Sequence, residues 1–127
     1  MAKRTGATPS GGKHGSREYV PEAGHLIWLS FCPQAGREQA GRRPALVLSP
    51  VTYNQRTRLC IACPITTHVK GYPFEVPVPP GLSIQGAVLS DHVRSADWVD
   101  RGAVFETLAP PELMSEVKAK LKALIGI

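Results

Sequence analysis

A carboxylate, a glycine and two adjacent guanidiniums stand together at Glu38-Gln39-Ala40-Gly41-Arg42-Arg43, directly before Pro44 and the apolar run Ala45-Leu46-Val47-Leu48. Pro44 fixes its own φ and pushes Arg43 into extended geometry, which restricts the orientation of the second guanidinium. Such a junction presents a cation to a phosphate; it equally serves as the plain start of an edge strand. Further along, Thr66-Thr67-His68-Val69-Lys70 brings two hydroxyls, an imidazole and an ammonium. Arginine does not readily surrender a proton, so its natural task is to neutralise charge building on a phosphate. A threonine hydroxyl can hold a phosphoryl oxygen, and Glu38, flanked by cations, is expected to stay ionised and accept a proton from a ribose hydroxyl. Arg43, Thr66 and Glu38 together suffice for RNA cleavage by internal attack of the 2′-OH, with no metal or cofactor. DNA lacks that hydroxyl and would remain uncut.

Other chemistries find less to work with. There is no phosphate-cradling glycine loop, no paired carboxylates and no nucleophile elbow. Cys60-Ile61-Ala62-Cys63 has a C-x-x-C spacing, but residues three apart in a strand face opposite sides, so these thiols are expected to be buried and separate. A zinc site would need two further ligands, and no second such pair exists. His68 and His92 are candidates for acid–base work or plain surface residues.

The elements that must position these groups follow from length and pattern. A chain of 127 residues with 43% hydrophobic residues suits one domain with one ordinary core. The net charge is +5, and its distribution is uneven. Arg37, Arg42, Arg43, Arg56, Arg58 and Lys70 stand against Glu38 alone in the middle of the chain, whereas acids prevail after Gly71. A concentrated basic face is the footprint of a polyanionic partner, or else solvated surface. Residues 1–18, rich in Gly, Ser, Thr and Lys, read as a flexible basic tail, so the domain is expected to span 19–127. No apolar run is long enough for a membrane span and no apolar stretch follows Lys3 and Arg4, so neither a span nor a secretory signal is expected. Three cysteines, an odd number, fit a reducing compartment, the cytoplasm.

Strands are expected at His25 to Phe31, Arg43 to Ser49, Arg58 to Ile65, Tyr72 to Val78, Gly86 to Ser90, His92 to Trp98 and Val104 to Leu108, with Val51 to Thr57 polar and turn-like. Many short strands punctuated by Gly and Pro indicate a small barrel or sandwich. From Pro110-Pro111-Glu112 the period turns helical: Leu113, Met114, Val117, Leu121, Leu124 and Ile125 form one stripe, expected to pack on the core. Prolines at the start, Glu112 in the first turn and lysines toward the end suit a helix and its dipole.

At these residues the chain resembles a known family. YVPEAGHLIWLSF, EQAGRRPALVLSP, YNQRT, PITTHVKGYPFEV, GAVLSDHVRSADW and APPELMSEVKAKLKALIG are similar, in order, to the MazF/PemK toxins, sequence-specific endoribonucleases, from Tyr19 to Gly126. The resemblance implies a mainly β (α+β) fold, an SH3-like barrel with a C-terminal α-helix. It implies a homodimer with single-stranded RNA lying across the subunit interface, and a MazE-type antitoxin whose acidic tail fills the RNA groove. Cleavage at short motifs would be metal-independent, leaving 2′,3′-cyclic phosphate and 5′-OH ends. The family's catalytic arginine falls on Arg43, its threonine on Thr66 and its loop acid on Glu38. Phe31, Asn54 and Lys70 fall on RNA-contacting positions. Arg42 stands where a histidine can occur, and His25, Ser30 and Cys32 replace acids; the gained cation should strengthen backbone binding. A rival of another class is a non-enzymatic, gyrase-poisoning toxin like CcdB, which shares this barrel and would fit Gly41-Arg42-Arg43 and Gly126-Ile127; that family, however, ends Trp-Gly-Ile, and Ile125 stands at the tryptophan position. A third reading is an RNA-binding barrel without catalysis.

Overall fold

The computed structural model describes residues 19–30 and 41–127. The expected tail and the residues Phe31 and Glu38 therefore lie outside the described residues. The strands are β1 (His25–Ser30), β2 (Arg42–Val47), β3 (Leu59–Thr66), β4 (Glu75–Pro77), β5 (Ala87–Leu89), β6 (Arg94–Asp97) and β7 (Val104–Leu108). Among the described residues, the helices α1 (Val51–Thr57) and α2 (Pro111–Ile125) and a 3₁₀ turn at Ser90–His92 complete the fold. The described strand pairings are all antiparallel, in the order β4-β5-β3-β2-β1-β7, with β6 also paired to β3. The expected mainly β architecture with a C-terminal helix is present as an open, barrel-like sheet.

β3 organises it. Its first half, Leu59 to Ala62, pairs with β6; its end, Ile65 and Thr66, pairs with β5; and Ala62 to Pro64 pair with β2. Alternation then divides the core between two faces. Leu26, Leu46, Cys63, Ile65, Val76, Val88, Leu113 and Val117 pack on one side. Ile27, Leu29, Ala45, Val47, Cys60, Ala62, Ala96 and Trp98 pack on the other. The two cysteines fall on opposite faces, as their spacing in a strand requires. Burial pushes the Cys60 thiol up to about 11 and the Cys63 thiol up to about 12, so both stay protonated.

Three expectations are corrected. Val51 to Thr57 is a helix rather than a turn: Asn54 faces inward, and Arg58 closes the helix at φ 65 with its N–H on the Asn54 carbonyl. The strand expected over Tyr72 to Val78 is confined to Glu75–Pro77, because residues 67–73 lie exposed, without the burial that half-covered strands require. The α2 stripe packs on the core as far as Leu121. Leu113 and Val117 are buried and Met114 and Leu121 pack half-buried against the same cluster, whereas Leu124 and Ile125 remain 43% and 58% exposed, beyond the reach of β4 and the 3₁₀ turn on which the helix packs. Gly126 ends α2 with its N–H on the Lys122 carbonyl. Among the described residues no helix is long and apolar enough to cross a membrane.

Candidate functional site at the ends of β2 and β3

Arg42 and Arg43 open β2, both exposed, with Ser30 and Leu29 as their partners on β1. The end of β1 is held in place by Arg101, whose Nη1 donates to the Ser30 carbonyl at 2.9 Å while its own carbonyl accepts from Ser30 N at 3.0 Å. Strand alternation sends the two guanidiniums to opposite faces. Arg43 shares its side with Ala45 and Val47, and Arg42 shares the other with Leu46. Adjacent in sequence, the pair does not converge on one phosphate.

The β2–β3 register supplies Arg43 with a different neighbour. Its last recorded pair is Ala45 with Pro64; two residues back along β2 is Arg43, and two forward along β3 is Thr66. Continued across that antiparallel ladder, the register sets Arg43 opposite Thr66 on one face. Thr66 Oγ1 accepts the His68 N–H at 3.0 Å. One lone pair is thereby engaged, and the hydroxyl proton remains available for an oxygen in front of it.

Thr66 is also seated from behind. Its Cα partner on β5 is Ala87, and the preceding Gly86 lies so close that a Cβ there would meet the Thr66 carbonyl oxygen at 2.2 Å and its carbon at 2.9 Å. Gly86 has φ +123, in the region that favours glycine. Sequence reasoning missed this residue. The available signal was a single glycine at the mouth of a strand, which marks close backbone approach.

Beyond Thr66, residues 67–73, including His68 and Lys70, lie exposed. Lys70 therefore stands on the solvent-facing loop that leaves β3. His92 sits apart, in the 3₁₀ turn, 58% exposed, with Nε2 4.0 Å from Asp91 Oδ1.

Asn54 is placed differently from its expected role. It is 0% exposed, its Nδ2 donates to the Pro21 carbonyl at 2.7 Å and the Ser49 carbonyl at 3.1 Å, and its Oδ1 accepts from Ser49 Oγ at 2.6 Å. The Asn54 carbonyl takes the Trp98 indole N–H at 2.9 Å. Both amide protons are spent inside the protein, so Asn54 braces α1 against the segment before β1, and its side chain cannot reach RNA. At the head of β1, His25 Nδ1 accepts from the Tyr19 hydroxyl at 2.6 Å and the Glu22 N–H at 3.3 Å. Burial lowers the His25 pKa, with Glu22 opposing weakly, so the imidazole there is a neutral structural acceptor.

A family model described as a PemK-like, MazF-like toxin of type II toxin–antitoxin systems matches residues 22–125. The endoribonuclease toxin MazF of Escherichia coli strain K12 is 50% identical over 108 residues, covering 85% of this chain and 96% of that protein. The endoribonuclease PemK of Escherichia coli is 32% identical over 108 residues, 82% of this chain and 81% of that protein. Among solved structures, a MazE–MazF crystal structure from Deinococcus radiodurans superimposes with a TM-score of 0.80 at 55% identity, covering 86% of this chain and 99% of that one.

Proposed function

The chain belongs to the PemK-like, MazF-like toxins of type II toxin–antitoxin systems, and we propose that it acts as an endoribonuclease that cuts single-stranded RNA by attack of the 2′-OH on the adjacent phosphate. The observation that supports this reading is the β2–β3 register, recorded from Val47–Ala62 to Ala45–Pro64, whose continuation sets Arg43 opposite Thr66. In the proposed mechanism the Arg43 guanidinium neutralises charge developing on the non-bridging oxygens, and the Thr66 hydroxyl donates to one of them. Two charge-aware donors aimed at a developing phosphorane are worth most in the transition state. Glu38 takes the proton from the 2′-OH. The bond from phosphorus to the 5′-oxygen breaks as the 2′-oxygen bond forms, and the leaving 5′-oxygen takes a proton from water, giving 2′,3′-cyclic phosphate and 5′-OH ends.

Lys70 holds a flanking phosphate. Arg42, on the other face of β2, adds to the cationic field without touching the scissile group, and Phe31 contacts a base. The chain pairs with a second copy, RNA lying across the interface, and a MazE-type antitoxin with an acidic tail occupies the same basic groove. An mRNA substrate suits a cytoplasmic protein. Residues 1–18 serve as a tail outside the catalytic domain. The relatives named above are endoribonucleases, which does not favour the CcdB-like alternative.

Incubation of the protein with a long single-stranded RNA in excess EDTA tests the reading. Fragments with cyclic phosphate and 5′-OH ends support it; intact RNA, or cuts leaving 5′-phosphates, refute it. A single-stranded DNA of the same sequence should remain whole.

A further inference from the structure

The loop between β3 and β4 has almost no apolar packing of its own, yet it is tied down at one point. Glu75, the first residue of β4, accepts the Gly71 N–H on Oε1 at 2.7 Å and the Lys70 N–H at 3.0 Å to Oε1 and 3.2 Å to Oε2. Its own N–H donates to the Tyr72 carbonyl at 3.1 Å, and its Cα pairs with Leu89 of β5. Successive backbone N–H groups turned toward one anion form a nest, and Gly71, at φ +81, supplies the turn. The bonds are charge-assisted and stronger than neutral ones. They hold an otherwise exposed run in which Val69 is 52% and Tyr72 62% exposed.

A carboxylate beside an RNA-binding loop is otherwise unfavourable, because it repels phosphate. This one has its oxygens turned to the loop's own N–H groups, whose partial positive charges offset its own. We propose that Glu75 is a positioning residue for RNA binding: by filling the nest, its carboxylate fixes the backbone of Lys70 and thereby aims the ammonium at a phosphate next to the one Thr66 engages. The inference rests on the reading of Lys70 as a phosphate contact. It places Glu75 on the binding side of the reaction, away from the chemical step.

The experiment compares the full-length parent with Glu75→Ala and Glu75→Gln. Backbone amide exchange at Lys70 and Gly71 is followed by NMR, and kcat and KM are measured on a short single-stranded RNA over a salt series. Glu75→Ala should strip protection from those two amides alone and raise KM about tenfold, the worth of one charge-assisted hydrogen bond. Its kcat should be little changed and its salt dependence flatter. Glu75→Gln keeps an oxygen that accepts both N–H groups and should recover most of the affinity. The proposal is overturned if Glu75→Ala leaves KM at the parental value, lowers kcat as much as it raises KM, or loosens core amides along with the loop. Arg43→Ala is run in parallel. If it cleaves at the parental rate the role of Arg43 fails, and if the parent itself leaves the RNA intact the nuclease reading fails, while amide exchange and RNA affinity of the Glu75 variants still decide whether Glu75 positions the loop.

Discussion

Gly86→Ala tests whether the seat behind Thr66 matters to activity. A Cβ added at Gly86 lies 2.2 Å from the Thr66 carbonyl oxygen and 3.4 Å from Thr67 Cα. Carbon and oxygen rest above about 3 Å, so one backbone must give by about an ångström. The obstacle is main chain on both sides, with no flexible side chain to swing away. Strain at φ +123 adds about 1–3 kcal/mol, and the overpacking about as much again. Against a typical stability of about 5–15 kcal/mol the variant still folds, with Tm lower by roughly 10–20 °C for a domain of this size. Because a misplacement of about 1 Å can cost about a hundredfold in rate, kcat on an RNA substrate should fall by about two orders of magnitude, measured where the variant is fully folded. Gly81→Ala is the control. Gly81 also has a positive φ, +98, but nothing lies within 4 Å of its added Cβ, so it carries the backbone strain without the collision. It should lose stability and keep kcat. Parental kcat in Gly86→Ala, or an equal loss in Gly81→Ala, refutes the idea that Gly86 sets Thr66 in place.

Four further outcomes are expected. Arg43→Ala should lower kcat by about a hundredfold or more with an unchanged melting curve, since the side chain is exposed; single-turnover RNA cleavage and calorimetry together check it. Asn54→Ala should cost about 3 kcal/mol or more, because the Pro21 and Ser49 carbonyls lose buried donors, while kcat per folded molecule stays put; urea unfolding beside the cleavage assay measures both. Lys70→Ala should weaken RNA binding and flatten its log–log salt slope by about 0.7, the share of one phosphate contact on a single strand. For the thiols, a folded pKa raised from 9.0 to about 11 at Cys60 and about 12 at Cys63 means the folded state holds these protons more tightly than the unfolded one. Their contribution is fully present below pH 9 and lost as pH rises toward 12, so denaturant midpoints should fall across that window, and a thiol reagent at pH 8 should leave both residues unmodified until the chain unfolds.

Where pattern and environment agreed, the fold was legible in the chain. β7 has the bounds that Val104 to Leu108 implied, and α2 starts at the proline pair. Period-two alternation alone separated Cys60 from Cys63. The helix α1 was not legible because seven residues make two turns with one inward side chain, too little for a helical stripe to emerge. Asn54 looked like surface for the same reason: a polar residue in a polar run gives no sign that its amide is turned inward. The failure at Leu124 and Ile125 has a different origin. Periodicity reports which face a helix presents, but not how far along its length a partner extends. Gly86 and Glu75 were invisible because their parts depend on the backbone of residues remote in sequence from Gly86, or folded back by a turn toward Glu75. Arg42 and Arg43 are neighbours in sequence, and alternation along β2 parts them onto opposite faces. The roles assigned to Glu38 and Phe31, and to the segment 1–18, lie outside the described residues.

The strand that ends in Thr66 leans on earlier sequence through β2 and on later sequence through β5 and β6, and the core behind it is capped by a helix from the last residues of the chain. A ribosome synthesises these parts in order, so a nascent chain that has emerged only as far as Thr66 has its β2 partner but neither β5 nor β6. The full seat of Thr66 therefore forms only after β5 and β6 have been made.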